Sequence, residues 1–121
     1  MIDSTQTMFG GFMPHIIFKG IGIEEVKRIE QPIINAISEI INCPVEHFTA
    51  EWMHTLFISN GIENNGGYPF VTVNWFQRTQ EMQDEVAKVI TDFVVKMGYD
   101  EVCVMFNTLN PSAYYENGKH Y

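Results

Sequence analysis

Positive charge is scarce in this chain. Seven lysines and arginines stand against fifteen aspartates and glutamates, a formal charge of -8 over 121 residues. So few cations argue against tracking a phosphate backbone or holding an anionic membrane surface. Cysteine is scarce too. Cys43 and Cys103 are too few and too far apart for a disulfide framework or a cysteine zinc site, and they read as reduced, buried thiols. The four histidines, His15, His47, His54 and His120, show no metal-ligand spacing. No apolar run is long enough to span a bilayer, and the first dozen residues lack the basic start and apolar stretch of a secretory signal. These absences leave a cytoplasmic protein of one domain, without nucleic acid, membrane or metal among its expected partners.

Among what is present, Met13-Pro14 followed by His15-Ile16-Ile17-Phe18 is the most informative stretch. Met1, Met8 and Met13 are three candidate starts, and the polar residues 1–12 read as an N-terminal extension unable to fold alone. If the chain begins at Pro14, its nitrogen is a secondary amine able to take a proton. If any residue precedes Pro14, that nitrogen is an amide whose lone pair is delocalised into a carbonyl.

From Pro14 onward one pattern occurs twice, as strand, helix, strand. The units span residues 14–58 and 69–107, with a tail over 108–121, all within one domain of residues 13–121. In the first unit a strand over 14–18 precedes Val26, Ile29, Ile33, Ile37, Ile40 and Ile41 at helical spacing. Pro32 falls inside that stretch, which predicts a kink there or a helix beginning near Gln31. Cys43-Pro44 is expected to end it. Residues 48–58 alternate apolar and polar, predicting one long strand.

The Asn- and Gly-rich segment 59–67 reads as the connection between units. Pro69, 55 residues after Pro14, opens the second unit with a strand over Phe70–Phe76. Thr79 is the expected N-cap of a helix carrying Met82, Val86, Val89, Ile90, Phe93 and Met97 on one face, and Gly98 its end. Asp84 precedes Lys88 and Asp92 precedes Lys96 by four residues, the favourable order for exposed ion pairs. A strand over 101–107 closes the unit. In the tail, Asn117-Gly118 between short aromatic arms predicts a two-residue hairpin that must pack on something to be stable.

The fold class that follows is α+β in two layers. Two β-α-β units in one chain form a four-stranded mixed sheet with both helices on one face, followed by the short C-terminal hairpin. Met53, Phe57, Trp75 and Met105 place apolar side chains on both sheet faces, so the second face is expected to be covered by other subunits.

The Met-Pro-His start, the doubled unit and the Tyr/Asn/Gly-rich tail together resemble the tautomerase superfamily. Macrophage migration inhibitory factor and 5-carboxymethyl-2-hydroxymuconate isomerase are members, and the resemblance spans residues 13–121 as a bacterial branch apart from the named enzymes. It implies a homotrimer with sites between subunits, and keto-enol proton transfer on a small 2-keto or enol carboxylic acid without metal or cofactor. It implies Pro14 as the catalytic base. Arg78, nine residues after Pro69, lies near the position of a substrate-binding arginine. The superfamily's second arginine has no counterpart, since Thr49 and Cys103 stand in the corresponding regions. Lys19, approaching from a neighbouring chain, and Asn107 are further candidates for contacting substrate oxygens. Trp75, Phe106, Tyr114 and Tyr115 are candidates for the pocket wall.

Two other readings use the same residues. One is a non-catalytic trimer for binding or assembly, with Pro14 blocked by residues 1–13. The other is a ferredoxin-like ligand-sensing domain, which pairs its strands in a different order.

Overall fold

The computed structural model describes residues 13–64 and 66–121. The extension 1–12, with two of the candidate starts, lies outside the described residues, as does Asn65. The described elements are β1 (His15–Lys19), α1 (Ile23–Ile41), β2 (Thr49–Met53), β3 (Ile58–Ser59), β4 (Ile62–Glu63), β5 (Phe70–Trp75), α2 (Gln80–Lys96), β6 (Cys103–Thr108), β7 (Tyr115–Glu116) and β8 (Lys119–His120). Single turns of 3-10 helix occur at Val45–His47 and Pro111–Ala113.

The main sheet runs β2-β1-β5-β6. β1 is parallel to β2 and β5 to β6, while β1 and β5 are antiparallel at the centre. Each parallel pair is therefore one β-α-β unit, and the units meet head to tail. A ferredoxin-like order would separate the two strands of each unit, so that reading is overturned. The units repeat in detail: Thr49 N–H donates to the Pro14 carbonyl at 3.1 Å, and Cys103 N–H donates to the Pro69 carbonyl at 3.0 Å.

Period-two alternation in β1 and β5 turns Ile16, Phe18, Val71, Val73 and Trp75 toward the helices. There they meet Ile29, Ile33 and Ile37 of α1 and Val86, Ile90 and Val94 of α2 in one buried core. The opposite face carries no helix and presents His15, Ile17, Glu51, Met53, Thr72, Met105 and Asn107. Met53 and Met105 are exposed there, whereas Trp75 belongs to the core face. Phe57 stands in the loop after β2.

Several local expectations change. α1 begins at Ile23, well before Gln31, and runs through Pro32. A proline inside a helix removes one hydrogen bond, but Pro32 and Gln31 lie on the exposed side, where water satisfies the freed carbonyl. The isoleucine face on the other side packs into the core on both sides of Pro32. The helix end is set by Asn42, left-handed at φ 53°, one residue ahead of Cys43-Pro44.

The expected strand over 48–58 stops at Met53, and Ile58 belongs to a separate hairpin, β3–β4, turning at Asn60-Gly61 with φ of 54° and 74°. In α2, Thr79 Oγ1 accepts from Met82 N–H at 3.2 Å, as expected of an N-cap. Val94 joins the buried face in addition to the residues anticipated. Lys88 pairs with Asp92 at 2.9 Å instead of with Asp84, because Gln80 donates to the Asp84 carboxylate at 2.9 Å. Lys96 lies over the Phe93 ring instead of pairing with Asp92.

The C-terminal hairpin turns at Asn117-Gly118, with φ of 55° and 83°. It folds back on its own domain: Tyr114 and Tyr121 both contact the Phe76 ring, and Tyr121 N–H donates to the Pro111 carbonyl at 3.1 Å.

Candidate functional site

The antiparallel centre gives the sheet two unlike ends. At one end the start of β1 meets the ends of β5 and β6, the end of α1 and the start of α2. This pole collects Pro14, Cys43, His47, Trp75, Arg78, Phe106 and Asn107. Lys19 closes β1 at the other pole, its ammonium 5.2 Å from the centroid of Phe70. Within one chain it is separated from Pro14 by the length of a strand.

Pro14 is fully buried, and the preceding Met13 is 4 % exposed, joined to it by a cis peptide bond. The last step of the β1–β5 ladder pairs His15 with Asn74. Pro14 and Trp75 are the next residues outward on the two strands, and both are buried. Trp75 stacks on Phe106 at 4.9 Å. Both belong to the same pole as Pro14. Tyr114 lies edge-on to Phe76, while Tyr115 is exposed and packs edge-on against His120.

Arg78 stands in the β5–α2 connection with its guanidinium carbon 5.7 Å from the centroid of the Trp75 ring. Its Nη1 donates to the carbonyls of Phe76 at 3.1 Å and Gln77 at 3.2 Å. No carboxylate among the described residues is within ion-pair distance of it. Burial lowers its pKa, an effect that the neighbouring Cys43 partly opposes. In a chain so rich in acid, a half-buried arginine without an acidic partner stands out.

Sequence reasoning treated Cys43 and His47 as bland, yet the fold brings both to this pole. Cys43 Sγ is 3.7 Å from His47 Nδ1 and 4.0 Å from the Met13 carbonyl oxygen. Burial pushes the thiol pKa up more than Arg78 pulls it down, so Cys43 is held as a neutral thiol, not an activated nucleophile. The spacing of four between Cys43 and His47, just past a helix end, was the signal available. Asn107 uses its side-chain amide to donate to Asn74 Oδ1 at 2.8 Å, on the open face beside the pole. There His15 Nε2 also lies 2.6 Å from Glu51 Oε1.

Trp75 Nε1 is the one side-chain polar atom among the described residues that is buried without a hydrogen-bond partner. Leaving such a donor unpaired costs about 1–3 kcal/mol. Two open clefts lie elsewhere. One, of about 290 Å³, is bounded by Gly20, Trp52, His54 and Phe57 at the Lys19 pole. The other, of about 350 Å³, runs between α1 and the edge strand β2. The second is lined by Lys27, Glu30 and Glu51, and neither is lined by Pro14 or Arg78. No group of three or more His, Cys, Asp or Glu side chains able to hold a metal occurs among the described residues.

Known proteins were compared with this arrangement. No curated protein matches the chain. A crystal structure of a domain of unknown function (DUF1904) from Sebaldella termitidis is similar at 34% identity and a TM-score of 0.84; the match covers 90% of this chain and 100% of that one. Two more distant structures share the fold. Pt0534, inactivated by 2-oxo-3-pentynoate, is 16% identical with a TM-score of 0.73, the match covering 88% of this chain and 96% of that one. An asymmetric trimer of fused 4-OT is 14% identical with a TM-score of 0.73, covering 88% and 95%. Its neighbours give the chain a tautomerase-superfamily fold, and residues 13–120 match the family described as a domain of unknown function (DUF1904), to which this chain belongs.

Proposed function

We propose that this protein transfers a proton on a small 2-keto or enol carboxylic acid, with Pro14 as base when it is the first residue. The observation that carries the reading is Arg78: a half-buried cation with no acidic partner, at the same pole as Pro14. A secondary amine buried at the same pole as a guanidinium loses proton affinity, because its charged form is destabilised. It is then a free base near neutral pH. Arg78 receives the substrate carboxylate, and the reacting carbon lies against Pro14. The inactivation of Pt0534 by a 2-oxo acid is compatible with this chemistry on the same fold.

Assembly belongs to the same reading. The helix-free sheet face exposes Met53 and Met105, and the hairpin β3–β4 exposes Ile58 at 70 % and Ile62 at 59 %. A homotrimer covers these surfaces and brings Lys19 of one copy toward Pro14 of another, the arrangement in which Lys19 contributes a cation. Sedimentation equilibrium tests it, and a monomer at micromolar concentration removes Lys19 from the site.

A chain beginning at Pro14 is expected to ketonise phenylenolpyruvate. Pro14→Ala should lower the rate by about 10²–10⁴-fold. Equal rates for the Pro14-initiated chain and the chain retaining residues 1–13 overturn the proposal.

One observation favours a second reading, a trimer that binds or assembles without catalysis. Met13 is itself buried and holds the Pro14 nitrogen as an amide. Mass measurement of the protein from its own cell decides between the two: retention of Met13 supports the blocked form, and its loss supports the base.

A further inference from the structure

We propose that the Trp75 indole N–H is a substrate-contacting donor, taking the place of the absent second arginine by binding the C2 oxygen of a monocarboxylic 2-keto or enol acid. The proposal rests on the proton-transfer reading of the Pro14 pole. Its own support is separate: Trp75 is fully buried, and its Nε1 has no partner among the described residues.

An indole nitrogen only donates, so the group that satisfies it must be an acceptor oxygen. The β1–β5 ladder ends on the pair His15 and Asn74, so Pro14 and Trp75 are the next residues outward on the two strands, and the Arg78 guanidinium lies over the Trp75 ring at 5.7 Å. Two kinds of donor thus lie at the pole that carries the proposed base. Arg78 matches a carboxylate, while a single neutral N–H matches the adjacent oxygen on C2. Within one chain Arg78 is the cation at this pole, which suits a substrate with a single carboxylate.

The chemistry balances without a further reactant. Pro14 nitrogen takes the proton from the enol hydroxyl on C2, the O–H electrons become the C2=O bond, and the C2=C3 pair takes a proton at C3 from the prolinium. One proton leaves oxygen and one arrives at carbon. Negative charge develops on the C2 oxygen between these events, and there a desolvated N–H contributes most. Carbonyl and enol oxygens are weaker acceptors than the intermediate enolate, so Trp75 acts mainly on kcat.

Phenylpyruvate is the probe, titrated into the ¹⁵N-labelled chain beginning at Pro14. Trp52 supplies an internal control, because its Nε1 already donates to the Ile21 carbonyl at 2.8 Å. The Trp75 indole proton is expected to move downfield as the probe saturates, while that of Trp52 stays in place; Trp75→Phe assigns the peak by removing it. Trp75→Phe should also lower kcat by about tenfold to a hundredfold with KM little changed, since the interaction lost is one that strengthens in the transition state. Saturable, Arg78-dependent binding that leaves the Trp75 indole unmoved overturns this proposal alone. If the probe does not bind at all, the proposal falls together with the reading beneath it. Should Trp75→Phe fail to fold, the indole titration on the unsubstituted chain still decides.

Discussion

The two poles of this sheet are built from equivalent parts and finished differently. Each has a proline ahead of a central strand, with its carbonyl taken by the first N–H of the parallel neighbour. At the Pro69 pole the polar groups are closed off. Trp52 Nε1 donates to Ile21, and Tyr99 donates to Glu25 Oε1 at 2.5 Å while Gly22 N–H donates to the same carboxylate at 3.2 Å. Gly20 fits against the Tyr68 carbonyl. At the Pro14 pole Trp75 Nε1 is unpaired and Arg78 lacks an acid. One end is finished as structure, and the other leaves a buried donor unpaired at a cost to stability.

The comparison breaks most readily at Arg78. In a Pro14-initiated chain, Arg78→Gln should lower kcat/KM on phenylenolpyruvate by roughly a hundredfold, from loss of a charged hydrogen bond of about 1.5–3 kcal/mol. Its thermal midpoint should scarcely move. An unchanged kcat/KM removes the anion site.

At the other pole, Gly20→Ala should destabilise without such specificity. A Cβ there would sit 2.5 Å from the Tyr68 carbonyl oxygen, at a backbone φ of +78°. A loss of about 1–3 kcal/mol is expected in urea unfolding. Wild-type stability would show that the close approach relaxes freely.

The two tryptophans permit a matched test. Trp52→Phe leaves the Ile21 carbonyl without its donor and should cost about 1–2 kcal/mol, whereas Trp75→Phe breaks no hydrogen bond and should be near neutral or mildly stabilising. Equal losses would mean that Trp75 has a partner after all.

The smallest effect is alkaline. Burial raises the pKa of Tyr99, with the Glu25 hydrogen bond adding to it, and burial likewise raises those of Tyr114 and Tyr121. The folded state therefore keeps its phenol protons after the unfolded chain has begun to lose them. That stability is fully present below the ordinary tyrosine value of 10.0 and falls as the pH rises from there through the raised folded values. Denaturant midpoints at pH 9 and pH 11 measure the fall, and Tyr99→Phe should reduce it.

Much of this was legible because it is local. The 55-residue separation of Pro14 from Pro69 carries the doubled unit, the Thr79 cap carries the start of α2, and Asn117-Gly118 carries the hairpin. The tautomerase resemblance was legible from the same residues. What escaped depended on neighbours distant in sequence. Pro32 reads as a breaker until its exposed side is seen, and Lys88 has acids on both sides until Gln80 occupies one. Cys43 and His47 gain a setting only when Arg78 arrives from the second unit. An unpaired indole has no sequence signal, because lacking a partner is a property of the whole surround.

The matching carbonyl bonds of Pro14 and Pro69 also fix a stoichiometry. In a symmetric pairing of two separate half-length chains, both prolines could head a chain and both could be amines. Here Pro69 lies inside the chain, so its nitrogen is an amide whatever residue comes first. A chain of this design holds at most one basic proline, and a reagent specific for N-terminal secondary amines would count one equivalent per polypeptide or none.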